Sequence, residues 1–347
     1  MGSPRLMGSV MAVAVLGTVA SGCSSATSAR PQSATVTRHT PSVVGYTALD
    51  DASVAAYWTP ERMKAAKPLA DEAGSAAERT LRATAQPAGG APVTVDPVLP
   101  SAAATRTASG GVSAAGKKQA TWKRGGLVAK TAGKLFGRGD DGSSFVASAN
   151  VVTSKDGDVA ITVAHALRTP KGNWTTKLVF VPGYKNGKAP YGKFAVRKQF
   201  VPPEYMKKDS SGKWVRDRRY DFGAIVLKPL NNRKIQSVVG GQGIVFNTPD
   251  RPTGYLFGYP ANGNKGQTLQ YCSGSQVTDP AGVMPHGMAC DMNGGSSGGP
   301  WFKTFNVTKG SGYQISVHAA HTTVSLISYG PYFGASVLAT FRAAEKA

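Results

Sequence analysis

Two adjacent serines stand in the stretch Asp291–Phe302, DMNGGSSGGPWF, between two pairs of glycines. Glycine costs conformational entropy, and that cost is worthwhile where backbone must come close to another group, such as an oxygen that takes two N–H donors. Ser296 and Ser297 are therefore candidate nucleophiles. A serine hydroxyl acts as one only with a base to take its proton and a third group to orient the base. The chain has five histidines: His39, His165, His286, His318 and His321. His39 lies in a low-complexity segment. His165 ends the strand-like run ITVAHAL, flanked by small residues, and Asp221 in RRYDFGAIVL leads into an apolar strand. The order along the chain is histidine, aspartate, serine.

The elements that must position these groups read as strands. From Gly133 onward, short β-branched or aromatic runs such as SFVASANVV, VAITVAHAL, TKLVFVPGY, FGAIVLKPL, TGYLFGYP and YQISVHAAH are punctuated by Gly, Pro, Asn and Asp. Many short strands at this spacing predict an all-β sandwich or barrel. A helical period appears only in the last dozen residues, ASVLATFRAAEKA, and predicts a C-terminal helix. Upstream, residues 24–120 are rich in Ala, Ser, Thr, Pro and Gly, with few large apolar residues to fold around. One island interrupts them. In YWTPERMKAAKPL, Thr59 suits a helix cap, Pro60 the first helical position and Glu61 the first turn, so a short helix is expected near 59–67, ended by Pro68. It reads either as a pro-segment docked on the folded domain or as a transient helix in a linker.

The residue order narrows the chemistry. GSSGG also fits the G-x-S-x-G elbow of α/β-hydrolases, with Ser297 central, but that fold needs an acid and then a histidine after the serine. The only acid beyond Ser297 is Glu345, which follows every histidine. The subtilisin order of aspartate, histidine, serine would need a different serine motif.

The sequence resembles the trypsin-like serine peptidases. TVAHA is similar to that family's T-A-A-H-C, YDFGAIVL to its D-I-A-L-L, and GSSGGP to its G-D-S-G-G-P. The resemblance covers about residues 133–342. It implies an all-β fold of two six-stranded antiparallel barrels with a short C-terminal helix, preceded by a disordered N-terminal region. It implies His165 as general base, Asp221 as its orienter and Ser297 as nucleophile, with the backbone N–H groups of Gly295 and Ser297 as oxyanion hole. The motifs lie 56 and 76 residues apart. FVPGYKNGKAPYGKF and LFGYPANG resemble bacterial secreted glutamyl endopeptidases. Two positions depart from the pattern. The family's aspartate before the nucleophile is Ser296 here, so activation through that aspartate and a freed N-terminal amine is not expected. The cysteine after the catalytic histidine is Ala166. Two specificity cues conflict. Asp291, six residues before Ser297, stands where trypsin places the acid that binds a basic side chain, while His318 matches the histidine with which glutamyl endopeptidases bind an acidic one. Each also reads structurally, Asp291 as a loop residue and His318 as a core strand residue.

The N-terminus implies export. Met1–Arg5 is basic, LMGSVMAVAVLGTVA is an apolar run of signal-peptide length, and ASGC is similar to a bacterial lipobox that would acylate Cys23. Ordinary secretion is the alternative. This divides the chain into a signal peptide, 1–22, a tether or pro-segment, 23–120, and a peptidase domain, 121–347. The two remaining cysteines, Cys272 and Cys290, read as one disulfide in an oxidising compartment, the alternative being two buried free thiols. The 347 residues carry 40 Lys and Arg against 19 Asp and Glu, and residues 121–347 alone hold 29 against 12. A domain this basic either contacts polyanions, an anionic cell envelope among them, or merely carries a solvated basic surface. No zinc-finger spacing, RNP-like aromatics or recognition helix is present, so nucleic acid is not expected as a partner. The expectation is a monomeric serine endopeptidase acting on protein or peptide without cofactor or metal. A cell-surface binding module on a protease fold that has lost turnover is the rival.

Overall fold

The computed structural model describes residues 2, 43–48, 53–69, 87–100, 118–248, 253–277, 279, 284–322 and 325–347. The signal-peptide expectation, His39 and Cys23 lie outside them. Residues 41–347 make one unit.

Four short strands come first, β1 (Val44–Thr47), β2 (Lys67–Pro68), β3 (Val93–Val95) and β4 (Ala120–Thr121). The first barrel is built from β5 (Ala132–Arg138), β6 (Ser144–Val151), β7 (Val159–Thr162), β8 (Thr176–Pro182), β9 (Phe194–Val201) and, after the hairpin of β10 (Met206–Lys208) and β11 (Trp214–Arg216), β12 (Gly223–Leu227). Its ladders run β8–β5–β6–β7–β12–β9 and return to β8, all antiparallel, so the six strands close on themselves. Closure still leaves one side of β9 at Lys198–Val201 and of β6 at Phe145–Val146 for other strands to pair with. Leu135, Ala147, Ile161, Phe180, Phe194 and Ala224 fill one core. β12 is buried at every residue, which is why its sequence, GAIVL, is a continuous apolar run without alternation.

The second half holds β13 (Gly243–Phe246), β14 (Gly254–Gly258), β15 (Gln270–Gly274), β16 (Gln276–Val277), β17 (His286–Ala289), β18 (Pro300–Asn306), β19 (Ser311–Val317), β20 (Ala320–His321) and β21 (Ile327–Gly330). In this half a second closed barrel is not explicit in the ladders. Among the described residues the ladders form a seven-stranded sheet, β3-β13-β19-β18-β14-β15-β4, and a separate four-stranded one, β16-β17-β21-β20. The β13–β19 pair is parallel. What joins the two sheets is covalent and apolar. Cys272 on β15 is disulfide-bonded to Cys290 just after β17, and both sulfurs sit in a cluster with Leu256, Met288, Met292 and Trp301.

The helix Ala335–Glu345 closes the chain as expected, burying Val337, Phe341 and Ala344. The helix Pro60–Ala65 also matches the sequence signals. Thr59 caps it, its side chain accepting the Arg62 N–H, with Pro60 and Glu61 in the first turn. Residues 23–120, expected as a tether or pro-segment, pair with the rest of the fold where the structure describes them. β1 pairs with β9, β2 with β6, β3 with β13 and β4 with β15. Trp58 is fully buried and its indole N–H donates to the Lys177 carbonyl at 2.6 Å. Composition shows that this segment lacks a core of its own. It does not need one, because an extended strand can add to a sheet edge through main-chain hydrogen bonds.

Candidate active site

His165 and Asp221 come from different turns beside neighbouring strands. β7 runs into a short 3-10 turn, Ala164–Ala166, that presents His165, and the residue after the turn Arg218–Tyr220 is Asp221, two positions before β12. β7 and β12 are hydrogen-bonded partners, with Gly223 opposite Thr162, so the ladder itself brings the two side chains together. His165 Nδ1 lies 2.7 Å from Asp221 Oδ2, and the His165 backbone N–H donates to Asp221 Oδ1 at 2.9 Å. Asp221 is 2 % exposed. Burial alone pushes its carboxyl up. The His165 charge, the hydrogen bonds from the His165 ring and backbone, and the Arg218 charge outweigh it, so the carboxyl stands below the usual aspartate range. With Nδ1–H directed at a carboxylate, Nε2 carries the lone pair. Nε2 is buried and makes no hydrogen bond among the described residues.

The serine loop is fastened to the first barrel. The Ser148 N–H on β6 donates to the Ser297 carbonyl at 2.8 Å, and the Ser148 hydroxyl donates to the Gly295 carbonyl at 2.9 Å. The same hydroxyl accepts the Tyr259 N–H at 3.0 Å, so one side chain ties β6, the end of β14 and the serine loop together. Two glycines in the loop are obligatory. Gly295 has φ +93°, and a Cβ there would lie 2.8 Å from the Tyr259 carbonyl oxygen. Gly298 has φ +85°, and a Cβ there would collide with the Ser148 carbonyl and the Thr162 hydroxyl. Thr162 is three residues before His165, so this close approach brings the serine loop against the strand that presents the histidine.

The two serines have different surroundings, although both are buried. Ser296 Oγ donates to the Asn293 carbonyl at 2.5 Å and lies 2.6 Å from His318 Nδ1. His318 is thus packed beneath the serine loop. Its backbone also pairs with that loop, His318 N–H to Gly299 and Gly298 N–H to His318, each at 2.8 Å. Asp291 is half-buried and accepts the Gln119 backbone N–H at 2.8 Å. The Cys272–Cys290 bridge ends immediately before it, with a Cα–Cα distance of 5.8 Å.

Leu69, Phe145, His165, Tyr205, Arg218 and Asp221 line one cleft. Sequence reasoning missed two of the residues that shape this region. Ser148 reads as an ordinary polar residue in a strand, and nothing local marks it as a clamp. Leu69 lies in a stretch whose composition suggests a linker, yet its carbonyl accepts the Gly295 N–H at 3.0 Å.

No protein-family model matches the chain, and no curated protein matches it. Solved structures do. The chain is similar to the protease Anisep from Arthrobacter nicotinovorans, with 35 % identity and a TM-score of 0.56, covering 63 % of this chain and 96 % of that one. It is similar to the thermostable serine protease AL20 from an extremophilic microorganism, with 29 % identity and a TM-score of 0.54 over 63 % of this chain and 99 % of that one. A Glu endopeptidase crystallised with MPD shares the fold at 18 % identity and a TM-score of 0.50, over 66 % of this chain and 97 % of that one.

Proposed function

Since the chain belongs to the trypsin-like serine proteases, we propose that it is an endopeptidase that cleaves peptide bonds through His165, Asp221 and Ser297. The Ser297 hydroxyl attacks the scissile carbonyl while His165 Nε2 takes its proton. Asp221 keeps the ring in the tautomer that leaves Nε2 free to do so and stabilises the imidazolium that forms. The N–H groups of Gly295 and Ser297 receive the developing oxyanion. His165 then gives the proton to the leaving amine, and water hydrolyses the acyl-enzyme on Ser297. The observation that carries this reading is the double hold of Asp221 on the ring and backbone of one histidine.

Of the two specificity cues, Asp291 is engaged by the Gln119 backbone. His318 is engaged too, by Ser296, and its place against the serine loop is what supports an acidic residue on the acyl side of the cleaved bond. The basic run Met1–Arg5, the apolar segment after it and Cys23 further support export with a lipid at the mature N-terminus.

The test is covalent labelling of the purified protein with a fluorophosphonate, with the adduct mapped by mass spectrometry. An adduct on Ser297 and preferential cleavage after glutamate over lysine in paired peptides are expected. An absence of labelling would move the chain to the rival reading, a binding module on a protease fold.

A further inference from the structure

The turn between β8 and β9 holds two lysines face to face. The Lys188 N–H donates to the Lys185 carbonyl at 2.9 Å and the Lys185 N–H to the Lys188 carbonyl at 3.3 Å. Between them Asn186 has φ +50° and Gly187 φ +80°. Positive φ at both central residues makes a two-residue hairpin tip, and residues directly opposed across such a ribbon project from the same face. Like charges so placed destabilise the pairing. Both lysines are exposed, and among the described residues neither has an ion-pair partner. The tip is also fixed in place. The Asn186 N–H donates to the Gln267 carbonyl at 2.8 Å, and the Tyr184 hydroxyl donates to Gln267 Oε1 at 3.0 Å.

More cations gather around the tip. Exposed Lys265 stands two residues before Gln267, in the turn Asn264–Gly266. Lys130 follows Ala129, which lines one recess together with Lys185, Asn186, Lys188 and Tyr191. Beneath them the buried Lys134 ammonium lies against the Tyr184 ring. Residues 118–138, 176–203 and 253–277, which build this face, hold 13 Lys and Arg and no Asp or Glu, so these segments supply no charge to neutralise it. The large apolar side chains exposed among the described residues are Val98, Leu99 and Val277, all outside these turns. The face therefore lacks the apolar anchors that hold most protein partners.

We propose that Lys130, Lys185, Lys188 and Lys265, around this recess, dock the protein on a phosphodiester-linked polymer. The exclusive use of lysine suits that partner. An ammonium is a point charge on a flexible stem and can follow successive phosphates, whereas planar bidentate recognition of one carboxylate favours arginine. The recess between the hairpin and the helix Val128–Thr131 takes a chain, where a flat bilayer would meet only the outermost lysines. A phosphate set between Lys185 and Lys188 replaces their repulsion with attraction to both. The recess shares no lining residue with the cleft of His165 and Asp221, so a bound polymer leaves that cleft accessible. Docking here needs no turnover and stands independently of the protease reading.

The test titrates the full chain, made without a lipid, into fluorescently labelled poly(glycerol phosphate) and reads anisotropy at several salt concentrations. Four phosphate contacts predict a slope of about −3 in log K against log salt, or about fifty-fold weaker binding at 200 mM than at 50 mM. Lys185→Gln with Lys188→Gln should weaken binding at least about ten-fold at low salt and about halve the slope. Lys185→Arg with Lys188→Arg keeps the charge and should stay within about two-fold of the unsubstituted protein. Lys207→Gln with Lys213→Gln removes the same charge from exposed positions in the β10–β11 hairpin and should cost less than about three-fold. Equal losses from the two glutamine pairs would mean a response to net charge alone and would overturn the proposal. So would a chain that does not bind the polymer at low salt, or an arginine pair that binds as poorly as the glutamine pair at the same turn. Single-stranded DNA or phosphatidylglycerol vesicles that displace the polymer at lower phosphate concentration would reassign the face to nucleic acid or to lipid, and the proposal would fall.

Discussion

Asp221 binds His165 at two points, taking the ring Nδ1 on Oδ2 at 2.7 Å and the backbone N–H on Oδ1 at 2.9 Å. The second bond matters because it fixes the turn as well as the ring. An acid that held only the ring would leave the 3-10 turn free to move.

Replacing Asp221 with Asn should therefore cut kcat by about 10³–10⁴-fold, since the amide can present its N–H to Nδ1 and favour the wrong tautomer. The effect on stability has a definite sign. The folded-state carboxyl is held below its unfolded value, so the unfolded chain binds the proton more readily. Its contribution is complete above about pH 4 and is lost as pH falls below that. Melting curves between pH 2 and 5 should show a smaller acid slope for Asp221→Asn than for the wild type; parallel slopes would contradict the assignment.

The serines should separate cleanly. Ser297→Ala is expected to abolish turnover and active-site labelling while leaving the fold. Ser296→Ala should keep labelling on Ser297 and lower stability by about 1–3 kcal/mol, because the His318 ring loses a buried partner. Labelling that disappears with Ser296 and survives Ser297→Ala would reverse the assignment.

Lys134 on β5 is 5 % exposed, with its ammonium 4.4 Å from the Tyr184 ring centroid. Burial pushes its pKa down to about 8. The folded state then holds its proton less tightly than the unfolded state, so stability should rise as pH climbs from about 8 to about 10. Lys134→Met removes the burial penalty, which at neutral pH amounts to at most about 3 kcal/mol. The variant should match or exceed wild-type stability at pH 7, and the difference should shrink through the alkaline window in denaturant titrations. A gap independent of pH would show that Lys134 keeps its proton.

Removing the bridge with Cys272→Ser and Cys290→Ser should destabilise the protein by about 3 kcal/mol, from the loop that an 18-residue separation closes. Because the bridge joins the two sheets of the second half and ends beside Asp291, peptidase activity should fall before the far-ultraviolet circular dichroism of the first barrel changes. Simultaneous loss of both would mean that the bridge supports the whole fold and not the site wall.

The sequence by itself determined the kind of fold and which residues are candidates for its chemistry. His165, Asp221 and the Ser296–Ser297 pair are legible because each sits at the edge of a strand-like run, with small residues where only backbone fits. The short β-branched runs are legible as strands because period and punctuation are local properties, and the cap at Thr59 is local too. Three features were decided only by tertiary structure. One is that the second half pairs as two sheets joined by Cys272–Cys290, because ladder closure depends on which edges meet and not on any one strand's pattern. Another is that Ser148, an unmarked strand residue, clamps the serine loop through contacts about 150 residues away in sequence. The last is the place of the described residues 43–48, 53–69 and 87–100. Their composition says only that they lack a core. Whether such a segment hangs free or adds to existing sheet edges, with Trp58 buried and Leu69 against Gly295, is set by the unpaired backbone the rest of the fold leaves exposed, and a one-dimensional reading does not contain that.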